Sequence, residues 1–144
     1  MIPLCATPTL PPQAVQVGLV TRGHAIAGLG IAQLDGDRWS LTLLSPAGVE
    51  LFTVSDAGVQ TGLEAWRPWL ERLPVERDLR LAFTAVAETC DAGAGKIRVK
   101  RDGRRCWRGD GGPACAEASD KGTILRDRRR GYTLQLVVDD AAAG

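Results

Sequence analysis

The chain has 144 residues, 44% of them hydrophobic and 24% charged, with a net charge of +1. That is the length of one domain with enough apolar content for a core, which excludes a disordered body. No stretch reaches the ~20 apolar residues of a membrane-spanning helix, and Met1-Ile-Pro-Leu lacks the basic region and apolar core of an export signal, so a soluble domain without its signal is expected.

Residues 1–13 are expected to form an extended N-terminal tether. Three prolines and two threonines between Cys5 and Gln13 disfavour helix and central strand alike. A single β domain over 14–139 follows. Val15, Val17 and Leu19 alternate with polar or small residues, and Ala25 to Leu34 forms a second run in which Gly28 and Gly30 mark bends or close packing. After the turn signal Asp35-Gly36-Asp37, Arg38 to Leu44 places Trp39, Leu41 and Leu43 on one face. Ser45-Pro46-Ala47-Gly48 reverses the chain, Val49 to Ser55 returns as partner strand, and Asp56-Ala57-Gly58 turns again. Loops this short make an antiparallel meander, because βαβ crossovers need a dozen or more residues.

The period then changes. Leu63 and Trp66 fit a strand end or a first helical turn, with Thr61 and Glu64 at capping-box spacing, and Pro68 argues against one long helix. A helix is predicted from Leu73-Pro74, with proline at its first position. Val75, Leu79, Ala82, Phe83 and Val86 make its apolar stripe, with Glu76, Arg77, Asp78 and Arg80 elsewhere on it. Next, Asp102-Gly103 joins Lys96–Arg101 to Arg104–Arg108 in a hairpin. A two-residue loop there pairs Val99 with Cys106 and Arg98 with Trp107. Thr123 to Arg130 is a further strand candidate, Tyr132, Leu134, Leu136 and Val138 alternate, and 140–144 reads as a frayed C-terminus.

Cys5, Cys90, Cys106 and Cys115 contain no C-x-x-C pair, and His24 is the only histidine, so no metal site is expected. Cys90 reads as a small buried apolar residue. Cys106 and Cys115 flank a glycine-rich turn and are placed to face each other across a hairpin; a disulfide there implies an oxidising compartment. His24, at a turn, reads as a surface residue. No G-x-S-x-G elbow, phosphate-binding glycine loop or H-E-x-x-H occurs, so neither catalysis nor a cofactor is expected.

Charge is unevenly distributed. Residues 96–130 hold twelve Lys or Arg against five acids, and the rest of the chain six against twelve. Solvated strand edges explain such a stretch without function. An anionic membrane surface is the functional alternative. Nucleic acid is disfavoured, since base-stacking aromatics are missing apart from Trp107.

Three pieces in order carry a resemblance over residues 14–139: Leu43-Leu44-Ser45-Pro46-Ala47-Gly48-Val49-Glu50-Leu51-Phe52-Thr53, Leu73-Pro74 with its helix, and Arg129-Arg130-Gly131-Tyr132-Thr133-Leu134. The chain resembles the LolA/LolB-like superfamily of periplasmic lipoprotein carriers and outer-membrane receptors, and among them the small lipoprotein relatives. The resemblance implies a mainly β (α+β) fold, a curved antiparallel sheet forming an incomplete barrel covered by one or two helices, with an apolar cavity for acyl chains. It implies lipidation at Cys5, hence a periplasmic domain tethered to the outer membrane.

The function expected on this basis is noncatalytic binding of a lipid or lipoprotein acyl chain, lined by Leu29, Ile31, Trp39, Leu41, Leu43, Phe52, Leu79 and Phe83. The alternative is a filled interior with a basic hairpin (Arg98, Arg101, Arg104, Arg105) docking an envelope protein. An enzyme on a related barrel is a third possibility.

Overall fold

Alternation of apolar and polar residues builds one sheet. The computed structural model describes residues 2–5, 9–35, 38–61, 68, 71–84, 89–119 and 122–138. Its strands are β1 (Leu10–Val20), β2 (Ala25–Asp35), β3 (Arg38–Leu44), β4 (Glu50–Ser55), β5 (Gly58–Thr61), β6 (Cys90–Asp91), β7 (Gly95–Val99), β8 (Arg105–Gly109), β9 (Ala114–Ser119), β10 (Gly122–Asp127) and β11 (Tyr132–Val138), with helix α1 (Val75–Phe83) between β5 and β6. All eleven strands join in the order β5-β4-β3-β2-β1-β11-β10-β9-β8-β7-β6. The chain meanders outward from β1 to one edge, crosses by way of α1 to the other edge, and meanders back until β11 pairs antiparallel with β1. The sheet is open, with β5 and β6 as its edges. Every strand gives at least one side chain to a single buried cluster that includes Val75, Leu79 and Leu81 of α1, so the sheet wraps around a common core.

β2 shows how tightly it wraps. Ile26, Gly28, Gly30, Ala32 and Leu34 face inward, and a Cβ on Gly30 would stand 2.7 Å from Val17 and 3.1 Å from Leu41. The two glycines let side chains of β1 and β3 close over β2.

Four expectations need correction. The N-terminal segment is fastened: Cys5 N–H donates to Asp91 O at 2.7 Å, Asp91 N–H donates to Pro3 O at 2.8 Å, and residues from Leu10 already belong to β1, with a bulge at the two prolines. The hairpin register is Arg98 with Cys106 and Ile97 with Trp107, because Gly103 takes φ 88° in a longer turn closed by its N–H to Lys100 O. That one-residue shift puts Ile97 and Trp107 together inside. Helix α1 ends at Phe83, with Pro74 as N-cap and Thr84 already extended. It buries Arg77, Asp78 and Leu81 as well as Val75 and Leu79. Leu63, Glu64, Trp66, Val86 and 140–144 lie outside the described residues.

Candidate functional site

A small hollow lies under the start of α1. Val17 and Leu19 of β1, Ile26 of β2, Leu41 and Leu43 of β3, Phe52 and Val54 of β4 and Leu134 of β11 wall it. Leu73 and Val75 roof it, and Asp78 and Tyr132 stand at one side. The surface facing it is apolar. Its volume is about 30 Å³, room for a methyl group or two.

The helix is locked over this hollow by a buried polar cluster. Arg77 donates through Nε and Nη2 to Asp78 Oδ1 at 3.0 and 2.9 Å, and through Nη2 to Tyr132 OH at 2.8 Å. Its Nη2 also lies 3.0 Å from Asp127 Oδ2. Its Nη1 donates to the carbonyls of Gly111 and Gly112 at 3.0 and 3.3 Å. Tyr132 donates to Asp78 Oδ2 at 2.6 Å. Arg130 donates its backbone N–H and its Nη1 to Asp127, both at 3.0 Å. At the other end of α1, Arg105 caps the helix by donating to Thr84 O at 2.8 Å. Arg77, Asp78 and Asp127 are each no more than 3% exposed, so the pairing is what makes their burial tolerable.

Burial pushes the Asp78 carboxyl up from its ordinary value, against the pull of Arg77 and Tyr132. The same burial, with Asp78 beside it, pushes the Tyr132 phenol far up and keeps its proton in place. Asp127 goes the other way. Burial pushes it up, but hydrogen bonds from Arg130 and Arg77 outweigh that and hold it below the usual carboxylate range. The unfolded chain therefore takes up the Asp127 proton at higher pH than the folded one. The stability this group contributes is present above about pH 4 and is lost as pH falls below it. Asp127→Asn is expected to be less stable at pH 7 yet to lose less between pH 4 and pH 2 than the wild type. Urea midpoints across that range measure it, and an equally steep acid limb in both proteins would refute the assignment.

Leu41, Leu43 and Phe52, three of the eight expected lining residues, do face the hollow. Trp39 and Leu79 are buried in the core but do not line it, and Phe83 is only partly buried against it. Leu29 and Ile31 correct the sequence reading: they point to the outer face, and the inward residues between them are Gly28 and Gly30. Val17, Leu19, Ile26, Val54, Leu134 and Tyr132 were missed as lining residues. The alternation in β1 and β11 carried that signal.

The basic hairpin divides as well. Arg98 and Arg101 are exposed, Arg104 pairs with Asp102 at 2.7 Å, and Arg105 is not free surface but turns inward to the end of α1. Lys96, Arg98, Lys100 and Arg108 rim a shallow outer groove of about 310 Å³ around the disulfide Cys106–Cys115, whose residues are direct partners across β8 and β9. A second disulfide joins Cys5 to Cys90. Cys90 is buried in the core as expected, but as half of a disulfide, and the expected lipidation of Cys5 is corrected, since its sulfur is taken up by the same bond. Among the described residues no group of three or more His, Cys, Asp or Glu side chains is placed to share a metal ion, and no helix is long and apolar enough to cross a membrane.

The model of the family described as Protein of unknown function (DUF3261) matches residues 13–139, nearly the whole chain, and the chain belongs to that family. No curated protein matches it.

Proposed function

We propose that this DUF3261 domain binds the hydrocarbon chain of a lipid-like ligand, without catalysis, under helix α1. The observation that carries the reading is the hollow at the centre of an unclosed sheet, walled by apolar side chains except where Asp78 and Tyr132 stand at one side, and roofed by a short helix. The resemblance to lipoprotein carriers points the same way. As it stands the hollow admits only a methyl group or two, so chain entry requires α1 to lift. Burying twelve methylenes contributes roughly 10 kcal/mol at ~0.8 kcal/mol each, which must offset both parting the buried ion-paired cluster and uncovering Val75, Leu79 and Leu81. The two disulfides favour an oxidising compartment, which fits the periplasmic side of a bacterial envelope.

A fluorescent fatty-acid probe tests the reading. The wild type is expected to take it up saturably, and Val54→Phe, which fills the hollow, to bind it at least tenfold more weakly. Mass spectrometry of the purified wild type is expected to find co-purified lipid. A correctly folded wild type with neither probe uptake nor lipid would overturn chain binding. It would favour the alternative, in which the basic hairpin docks an envelope protein through its exposed arginines Arg98 and Arg101.

A further inference from the structure

An acyl chain in the hollow has a headgroup that must emerge at one end of the sheet. Leu19, Ile26 and Tyr132 are the hollow residues nearest the turns Thr21–His24 and Arg128–Gly131. Register brings these two turns together, because Val20 pairs with Thr133. Arg22 leans across the gap: a Cβ on Gly131 would stand 3.3 Å from its Nε. Beyond it, the guanidinium groups of Arg130 and Arg129 stand 3.5 and 3.8 Å from the Cβ position of Gly112. Gly111, whose Cβ position is 2.9 Å from Pro74, brings the start of α1 to the same place. Gly111, Gly112, Arg129 and Arg130 line an open recess of about 410 Å³ there.

The charges at this end do not cancel. Arg77 and Arg130 are taken up by Asp78 and Asp127, whereas Arg22, Arg128 and Arg129 have no acidic partner among the described residues. Asp110, the acid of the neighbouring turn, is exposed and makes no ion pair with them.

We propose that Arg22 and Arg129 hold the anionic headgroup, a phosphate monoester, of an amphiphile whose chain enters the hollow. This rests on the chain-binding reading above. Guanidinium forks match phosphate oxygens two at a time, which suits them to this group better than to a hydroxyl.

Calorimetric titration of decyl phosphate, decanol and inorganic phosphate tests it, on the wild type and on a variant carrying Arg22→Gln and Arg129→Gln. The wild type is expected to bind decyl phosphate at least tenfold more tightly than decanol. In the variant that preference should fall below threefold, with decanol affinity unchanged. Decanol binding without a preference, or a preference that survives both substitutions, would overturn the headgroup site alone. Inorganic phosphate binding as tightly as decyl phosphate would also overturn it, by showing a free-anion site. If neither decyl compound binds, the headgroup site and chain binding fall together.

Discussion

Arg77→Ala is expected to lower the unfolding free energy by about 3–5 kcal/mol. The substitution strands two carboxylates, Asp78 and Asp127, in a region almost closed to water, and removes the donors that serve the carbonyls of Gly111 and Gly112. Arg77→Lys should not rescue much of the loss. One ammonium cannot reach Asp78, Asp127, Tyr132 and two carbonyls, which the planar guanidinium serves at once. On the same helix, Arg80→Ala is the control. Arg80 pairs with a half-exposed Glu76 one turn away, and its loss should cost about 0.5 kcal/mol or less. The defect in Arg77→Ala should also shrink as pH falls. With its cation gone, buried Asp78 favours the protonated form still more, and a carboxyl whose folded pKa is raised contributes stability at low pH and loses it as pH rises. Urea unfolding of the three variants at pH 7 and pH 4.5 measures all of this. A loss below 1 kcal/mol for Arg77→Ala would mean that the cluster does not hold α1 on the sheet.

Replacing Cys5 and Cys90 together by Ser is expected to be the second large perturbation. Their bond closes a loop across 85 positions of sequence, and chain entropy assigns such a loop about 4–5 kcal/mol. Cys106 and Cys115 are only 9 apart, so the same reasoning assigns their bond about 2.5 kcal/mol. Neighbouring strand pairs reinforce the difference. β8 and β9 pair through the backbone on either side of Cys106–Cys115. The Cys5–Cys90 bond, in contrast, fastens an N-terminal segment whose described residues 2–5 meet a two-residue edge strand through one isolated bridge, Leu4 with Asp91, and its two hydrogen bonds. Denaturant midpoints of the two double variants should rank in that order, and the reverse order would reject the loop-entropy account.

Much of the β framework was legible because strand periodicity is a local property. Val15, Val17 and Leu19, the Trp39 face and the Tyr132, Leu134, Leu136 run each name their buried side without knowledge of any partner. β2 was misread for a physical reason. Between Leu29 and Ile31 on one face and Gly28 and Gly30 on the other, apolarity alone selects the leucine and isoleucine. The glycines face inward because neighbouring strands fill the space above them, and that packing is long-range. Asp102-Gly103 suits a two-residue loop and also the longer turn that is formed, one residue out of the expected register. The formed register pairs Ile97 with Trp107 and buries both.

What the sequence determined by itself is therefore the antiparallel meander, the presence of a helix just after Leu73-Pro74, the concentration of cations after residue 96, and the facing pair Cys106 and Cys115, all set by neighbours within about a dozen residues. Only the tertiary structure decided that Cys90 belongs to Cys5, that Arg105 caps a helix rather than meeting solvent, and that Arg77 and Asp78 of α1 are buried against Asp127 and Tyr132. Those contacts join residues 21 to 85 positions apart. A charged side chain pays for burial only through partners, and which partners arrive depends on how the sheet wraps back until β11 meets β1.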